Sequence, residues 1–341
     1  MTTVALDGRG AERGVDVIVG GARAAAADGI ALRVFGNPQE LAELDGVAGV
    51  ELLEAPGEIT NDDDPVGAVR EGTDTSIVLA AADVADGCAE AVVSAGPTGA
   101  TMTAALFALR RSRGVRRPAL AVQLPRPGSD GPPTLLLDVG ANAEVRTGDL
   151  VQFAYLGSVF SETVLGVERP RVALLSVGEE PKKGTQDVVD AHADLAASDL
   201  DFRGNIEGRD LLAGKVVVVV TDGFTGNVAL KTIEGTALSV AGAVGAAARS
   251  NPVSAVGGLL LRPALGGLRQ RMDPDATGGA ILLGLRGVAV VGHGSSGADG
   301  IANAIRLAAR AVESRAVERM TELLQRSGAT RGAMRDRKEA E

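Results

Sequence analysis

The chain has 341 residues, of which 45% are hydrophobic but only 2% aromatic, with no Trp. Its core must be built from Ala, Val and Leu, and stacking of nucleic-acid bases on aromatic rings is excluded as a main binding mode. A formal net charge of −10 and a pI near 4.9 also argue against a nucleic-acid partner. Cys88 is the single cysteine, so no intrachain disulfide and no cysteine metal cluster can form.

Residues 1–3 run straight into a strand-like 4–6 without a basic or long apolar leader, which points to a cytoplasmic protein. Further strands are expected at 31–35, 49–53, 91–94, 119–123, 134–138, 171–176, 216–221 and 287–292. Helical patterns lie between them, as at 99–111, 150–166, 183–197 and 228–248. This alternation predicts an α/β unit with a largely parallel sheet over residues 1–324. The apolar helical stretch 237–248 is shorter than the roughly 20 residues a membrane span needs.

Asp7-Gly8-Arg9-Gly10-Ala11-Glu12-Arg13-Gly14 follows the first strand but is spaced G-x-G-x-x-x-G. The second strand ends Val34-Phe35-Gly36-Asn37, with no acid for a ribose hydroxyl, so the loop reads as a crevice lining or a plain strand–helix turn. No nucleotide cofactor is predicted. Asp62-Asp63-Asp64 could attract a hard cation, but adjacent side chains rarely converge and Asp64-Pro65 is a good helix start. Capping is the reading, and no metal site is predicted. Arg110, Arg111, Arg113, Arg116 and Arg117 form a basic cluster in an acidic protein, either a solvated face or a docking patch for an acidic partner.

Residues 251–272 break the rhythm. Val253, Val256 and Leu260 share helical spacing, as do Leu265, Leu268 and Met272, with a break expected at Arg262-Pro263. This protruding amphipathic tip fits a helical hairpin at a dimer interface, or a peripheral contact with anionic lipid. Residues 325–341 read as a charged, disordered tail.

The sharpest chemical signal is Asp222-Gly223-Phe224-Thr225-Gly226-Asn227, between an apolar strand and a helical pattern. Free backbone N–H groups and the positive end of a helix dipole converge in such turns and favour anions. The layout recurs at Leu137-Asp138-Val139-Gly140-Ala141-Asn142, Ser176-Val177-Gly178-Glu179-Glu180 and Val291-Gly292-His293-Gly294-Ser295-Ser296. Four such loops predict one crevice at the carboxyl ends of several strands. Lys183, one of only five lysines, stands at one of these junctions, where an ammonium suits phosphate or an oxyanion. His293 lies between two glycines, beside Ser295 and Ser296.

Over nearly its whole length the chain resembles the bacterial phosphate acyltransferases, the acyl-ACP:phosphate acyltransferases of phospholipid synthesis. The matching residues are Ser94-Ala95-Gly96-Pro97-Thr98-Gly99-Ala100, Leu137–Asn142, Gly178-Glu179-Glu180 with Lys183-Gly184, residues 204–210, Asp222–Asn227 and Gly292–Ser296. The resemblance implies a three-layer α/β sandwich of the isocitrate dehydrogenase and phosphotransacetylase kind, and a cytoplasmic homodimer that associates peripherally with the membrane. It also implies that acyl phosphate is made from acyl carrier protein and phosphate, then passed to a membrane glycerol-3-phosphate acyltransferase. No cofactor is implied.

On that resemblance Lys183, Asn227 and His293 are the catalytic candidates. Asp7, Asn142, Arg209, Asp222, Gly223, Thr225 and Ser295 are the substrate-binding ones. Lys183 and Arg209 would carry phosphate charge, Asn142 and Asn227 would act as amide donors, and His293 would orient the substrate or protonate the thiolate. The family's first-strand pattern, Asp-Ala-Met-Gly-Gly-Asp-His, is matched here at Asp7 and Gly10, and Arg9 is expected to supply extra charge for phosphate. Two alternatives stay open: a phosphotransacetylase-like enzyme using acyl-CoA, and a non-catalytic relative that binds the carrier.

Overall fold

The computed structural model describes residues 1–126, 131–271, 274–330 and 332. One sheet of eleven strands runs through it. Its first half holds β1 (Thr3–Asp7), β2 (Ala31–Gly36), β3 (Val50–Glu54) and β4 (Ala91–Ser94). The middle and second half add β5 (Ala119–Leu124), β6 (Thr134–Leu137), β7 (Arg171–Leu175), β8 (Asp201–Ile206) and β9 (Val218–Val220). The chain then returns through β10 (Ala280–Leu283) and β11 (Val288–Val291).

The spatial order is β3-β2-β1-β4-β11-β10-β5-β6-β9-β7-β8. Strands β1, β2, β3, β4 and β11 are mutually parallel, as are β6, β7, β8 and β9. Between these blocks β10 is antiparallel to both β11 and β5, and β5 is antiparallel to β6. Three reversals leave the two parallel blocks pointing in opposite directions. The carboxyl ends of β1, β4 and β11 therefore lie on one edge of the sheet, and those of β6, β7, β8 and β9 on the other.

Alternate residues of each strand enter opposite core layers, as period-two geometry requires. Val4, Leu6, Leu135, Leu137, Val218 and Val220 pack on one side, and Ala5, Leu136 and Val219 on the other. The first layer is closed by α1 (Val15–Ala27), α5 (Thr147–Thr163), α6 (Gln186–Ala196), α9 (Ala298–Glu313) and α10 (Ala316–Arg326). The second is closed by α2 (Pro65–Glu71), α3 (Ser76–Ala85), α4 (Thr98–Leu109) and the start of α7 (Gly223–Ala248). With so few aromatics, fit comes from small residues: a Cβ at Gly21 of α1 would lie 2.5 Å from Ile301 of α9.

The expected strands are present, with two additions. β8 carries Asp201 and Arg203 and is too polar to stand out as an apolar run, and β10 is only four residues long. Asp64 caps α2 by accepting from Gly67 N at 2.7 Å, with Pro65 at the first helical position, as its sequence implied. The expected break at Arg262-Pro263 is absent, because α8 (Pro252–Arg271) is continuous through Pro263. The packed chain reaches beyond residue 324: Ala329 is buried and its carbonyl accepts from Gln152 Nε2 at 2.7 Å. Residues 331 and 333–341 of the expected tail lie outside the described residues.

Candidate active site

The first group of candidates surrounds the ends of β1, β4 and β11. Asp7 is buried there, not open to substrate. Its Oδ1 accepts from Ser76 Oγ (2.6 Å) and Arg9 N (3.2 Å), and its Oδ2 accepts from Ser94 Oγ (2.7 Å). Ser94 Oγ in turn accepts from Gly96 N (3.0 Å) and Thr101 Oγ1 (3.1 Å). Asp7 thus ties together the turn after β1, the start of α3 and the turn after β4. Gly10 lies against Gly96 so closely that a Cβ on it would be 2.5 Å from the Gly96 Cα.

The turn after β11 joins this group. Glu12 N donates to Gly294 O at 3.2 Å, drawing the first loop against it. His293 is exposed, and its Nδ1 is 2.7 Å from Ser295 Oγ and 3.3 Å from Ser295 N. The backbone N–H can only donate, so Nδ1 is an acceptor and the neutral ring carries its proton on Nε2. That N–H is a hydrogen-bond donor offered to the solvent side. Arg9 does not provide free charge: its guanidinium bonds Pro56 O at 2.6 Å and lies 3.6–3.7 Å from Glu40 and Glu58.

The second group occupies the opposite edge. Asp138, fully buried after β6, accepts five N–H bonds: Leu120, Gly140 and Ala141 at Oδ1, and the Asn142 backbone and side chain at Oδ2. Burial raises the Asp138 carboxyl above its ordinary range while these bonds pull against that rise, and five donors with no acceptor fit the ionised form. Asn142 Nδ2 also donates to Pro118 O at 2.7 Å. Both of its amide hydrogens are engaged, so Asn142 holds the turn and is not a donor for substrate. Its carbonyl accepts from Gly223 N at 2.8 Å.

Residues 222–227 are not a loop before the helix; they are its cap and first turn. Asp222 is the N-cap of α7, accepting from Thr225 N at 2.7 Å. Its carboxylate and the Gly223 N–H are thereby spent on local structure. Phe224, Thr225 and Asn227 remain exposed on that turn. Nearby, Lys183 is exposed and has no ion-pair partner among the described residues; its carbonyl accepts from Ser176 Oγ at 2.9 Å. Arg209 is 72% exposed and lies 3.3 Å from Glu207.

The single crevice expected for all four loops is therefore divided. Lys183, Asn142, Arg209, Asp222, Gly223, Thr225 and Asn227 share one edge, whereas Asp7, His293 and Ser295 are on the other. Four strand spacings separate β11 from β9, which is roughly 20 Å across the sheet. Reasoning from sequence omitted Ser76, Ser94 and Asp138 as site organisers; Ser94 and Asp138 stood inside the quoted motifs, while nothing near Ser76 announced its bond to Asp7. Among the described residues no cluster of three or more His, Cys, Asp or Glu side chains is placed to hold a metal.

The family model described as fatty acid synthesis protein matches residues 2–319. The chain is 42% identical over 318 residues to the phosphate acyltransferase of Elusimicrobium minutum, covering 91% of this chain and 92% of that one. It is 40% identical over 325 residues to that of Bacillus licheniformis, covering 94% and 98%. The chain belongs to this family. Membership makes it an acyltransferase of fatty acid and phospholipid synthesis. Among solved structures, a phosphotransacetylase from Streptococcus pyogenes superposes with a TM-score of 0.60 at 18% identity, over 92% of this chain and 94% of that one. A branched-chain phosphotransacylase from Enterococcus faecalis gives 0.55 at 17%, over 92% and 99%. These likenesses establish a phosphotransacetylase-like fold.

Proposed function

We propose that this enzyme makes acyl phosphate from inorganic phosphate and an acyl group carried as a thioester on acyl carrier protein. A phosphate oxygen attacks the thioester carbon, the C–O bond forms, and the C–S bond breaks. Hydrogen phosphate brings its own proton, which ends on the leaving sulfur, so neither an enzyme nucleophile nor a cofactor is required. What the protein supplies is position and charge.

The observation that carries this reading is the His293–Ser295 pair. With Nδ1 held as an acceptor, Nε2–H is a fixed donor for the oxyanion of the tetrahedral intermediate. A neutral imidazole could not give that proton up without becoming an anion, so its role is hydrogen bonding, not acid catalysis. Lys183 and Arg209 would offset phosphate charge, and Thr225 and Asn227 would bond the substrate at the positive end of α7. Phosphate-dependent formation of acyl phosphate from acyl carrier protein, trapped with hydroxylamine, is the direct test; absence of the trapped product refutes the reading.

A second reading, transfer from acyl-CoA, is favoured by the phosphotransacetylase neighbours. Comparing the two donors at equal concentration decides between them. The exposed apolar residues of α7 and α8 support a homodimer with a peripheral membrane contact, placed to deliver acyl phosphate to a membrane glycerol-3-phosphate acyltransferase. Among the described residues no helix is long and apolar enough to cross a membrane.

A further inference from the structure

We infer that Asn205 is a positioning residue: it fixes the loop that carries Lys183 and so sets where the Lys183 ammonium meets phosphate. The inference rests on the acyl-transfer reading above, which assigns phosphate charge to Lys183.

Asn205 lies near the end of β8 and is only 5% exposed. Its Nδ2 donates to Glu180 O at 2.9 Å, and Glu180 O also accepts from Lys183 N at 3.0 Å. The acceptor is a carbonyl, so the amide nitrogen must be the atom that faces it. One carbonyl oxygen therefore joins Asn205 to the backbone of Lys183. The other backbone group of Lys183, its carbonyl, accepts from Ser176 Oγ at 2.9 Å. Ser176 N in turn donates to Ile206 O at 2.9 Å, one residue beyond Asn205. Both ends of the Lys183 peptide unit are thus referred back to the paired ends of β7 and β8. The lysine stem leaves this frame over buried Gly178, where an added Cβ would lie 3.1 Å from Lys183 Cγ. Lys215, which reaches the same turn 4.0 Å from Glu179, is instead held 2.7 Å from Asp210 Oδ1.

Strand stability alone does not account for an asparagine at this position. Among the described residues no group donates to its buried Oδ1. A buried acceptor left bare costs stability, and an apolar side chain of the same shape would remove that cost. What the amide supplies in return is the Nδ2 bond to the Lys183 loop.

Asn205→Leu keeps the volume and removes both polar groups. The lost bond and the lost bare acceptor offset one another, so the melting temperature should stay within about 3 °C of wild type. Misplacing the ammonium should lower kcat/KM for phosphate about 10²-fold, with little change in the KM for the carrier. In a Lys183→Met background the same substitution should cost almost nothing further, because its effect runs through Lys183. Asn205→Asp, which keeps the shape and loses only the donor, repeats the test if the leucine variant does not fold.

A readout free of catalysis separates this inference from the acyl-transfer reading. The chain has five lysines, so acetylation of Lys183 by acetic anhydride can be followed by mass spectrometry with inorganic phosphate as the only ligand. Phosphate should shield Lys183 in the wild type, and half-protection in Asn205→Leu should need about tenfold more phosphate. That shift in a protein that makes no acyl phosphate would uphold the role of Asn205 and defeat the acyl-transfer reading. Equal protection in both proteins, none at all included, overturns the inference, as does a full additional loss of activity in the Lys183→Met background.

Discussion

A Cβ placed on Gly226 would lie 1.9 Å from the carbonyl oxygen of Asp138. The first turn of α7 is thus pressed onto the turn after β6, and Gly223 is held there as well by its N–H bond to Asn142 O. Neither backbone can withdraw, because Asp138 is anchored by five N–H donors. Gly226→Ala should destabilise the fold by about 3 kcal/mol, at the upper end of overpacking costs. Thermal melting checks this; an unchanged Tm would mean that the two turns separate without cost.

Much of this contact was legible only in part. The Asp-Gly and Gly-Asn pairs at 222–227 marked a strand-to-helix transition, and it occurs there. That Asn142 would spend its amide on Asp138 and Pro118, and its carbonyl on Gly223, was not legible, since such partnering depends on which strands become neighbours. β6 and β9 are adjacent although 80 residues of chain, holding β7 and β8, lie between them. The reversal of direction at β10 and β5 was hidden for a similar reason. Strands buried on both faces read as the same apolar run whichever way they point, so four like loops suggested one crevice where there are two edges.

Ser295 should matter through His293. Losing the hydroxyl leaves Nδ1 with the backbone N–H at 3.3 Å as its remaining partner and loosens the ring and its tautomer. Ser295→Ala should lower kcat by about 10²-fold, comparable to loss of one oxyanion donor, with little change in KM for phosphate. Ser295→Thr, which keeps the hydroxyl, should recover most of that loss. Equal defects in both variants would show that the loop backbone, not the hydroxyl, is what counts.

Lys183 is exposed on a loop whose backbone is fixed by Ser176 and Glu180, so its ammonium can be removed without disturbing the fold. Lys183→Met should reduce the rate about 10²–10³-fold if the charge acts on the transition state. The melting temperature should be unchanged. Near-normal turnover would remove Lys183 from the reaction.

The basic cluster near 110 has a structural setting that its sequence did not show. Arg116 is paired with buried Asp149 at 2.9 Å, so it is a strut. Arg110 and Arg113, joined by Arg286 from the turn before β11, rim a cleft of about 1050 Å³ between α4 and α10. Glu318 and Glu322 line its far wall. An acidic carrier should dock on the arginine side, so Arg113→Glu with Arg286→Glu should raise its KM roughly tenfold at low salt and less at high salt. Glu318→Lys with Glu322→Lys should lower it. A carrier KM indifferent to both changes would leave the cluster as a solvated face.

The tip at α8 offers two outcomes that a single pair of substitutions separates. Val253 is 83% exposed and Leu260 76% exposed, and Leu259 and Leu261 are exposed beside them. Isolated apolar residues on a surface need no explanation, but five in the first half of α8, Val256 among them, next to the bare stripe of α7, mark a covered surface. Each leucine could contribute roughly 1.5–3 kcal/mol when fully buried in a partner or in lipid. Leu259 and Leu260 are changed together to Ser, and two measurements are made on the same preparation: flotation with anionic vesicles, and mass by light scattering. If the tip contacts lipid, the variant should stay dimeric and no longer float. If the tip instead closes the dimer, the variant should fall to monomer mass. A dimeric variant that still binds vesicles would assign these leucines to neither surface.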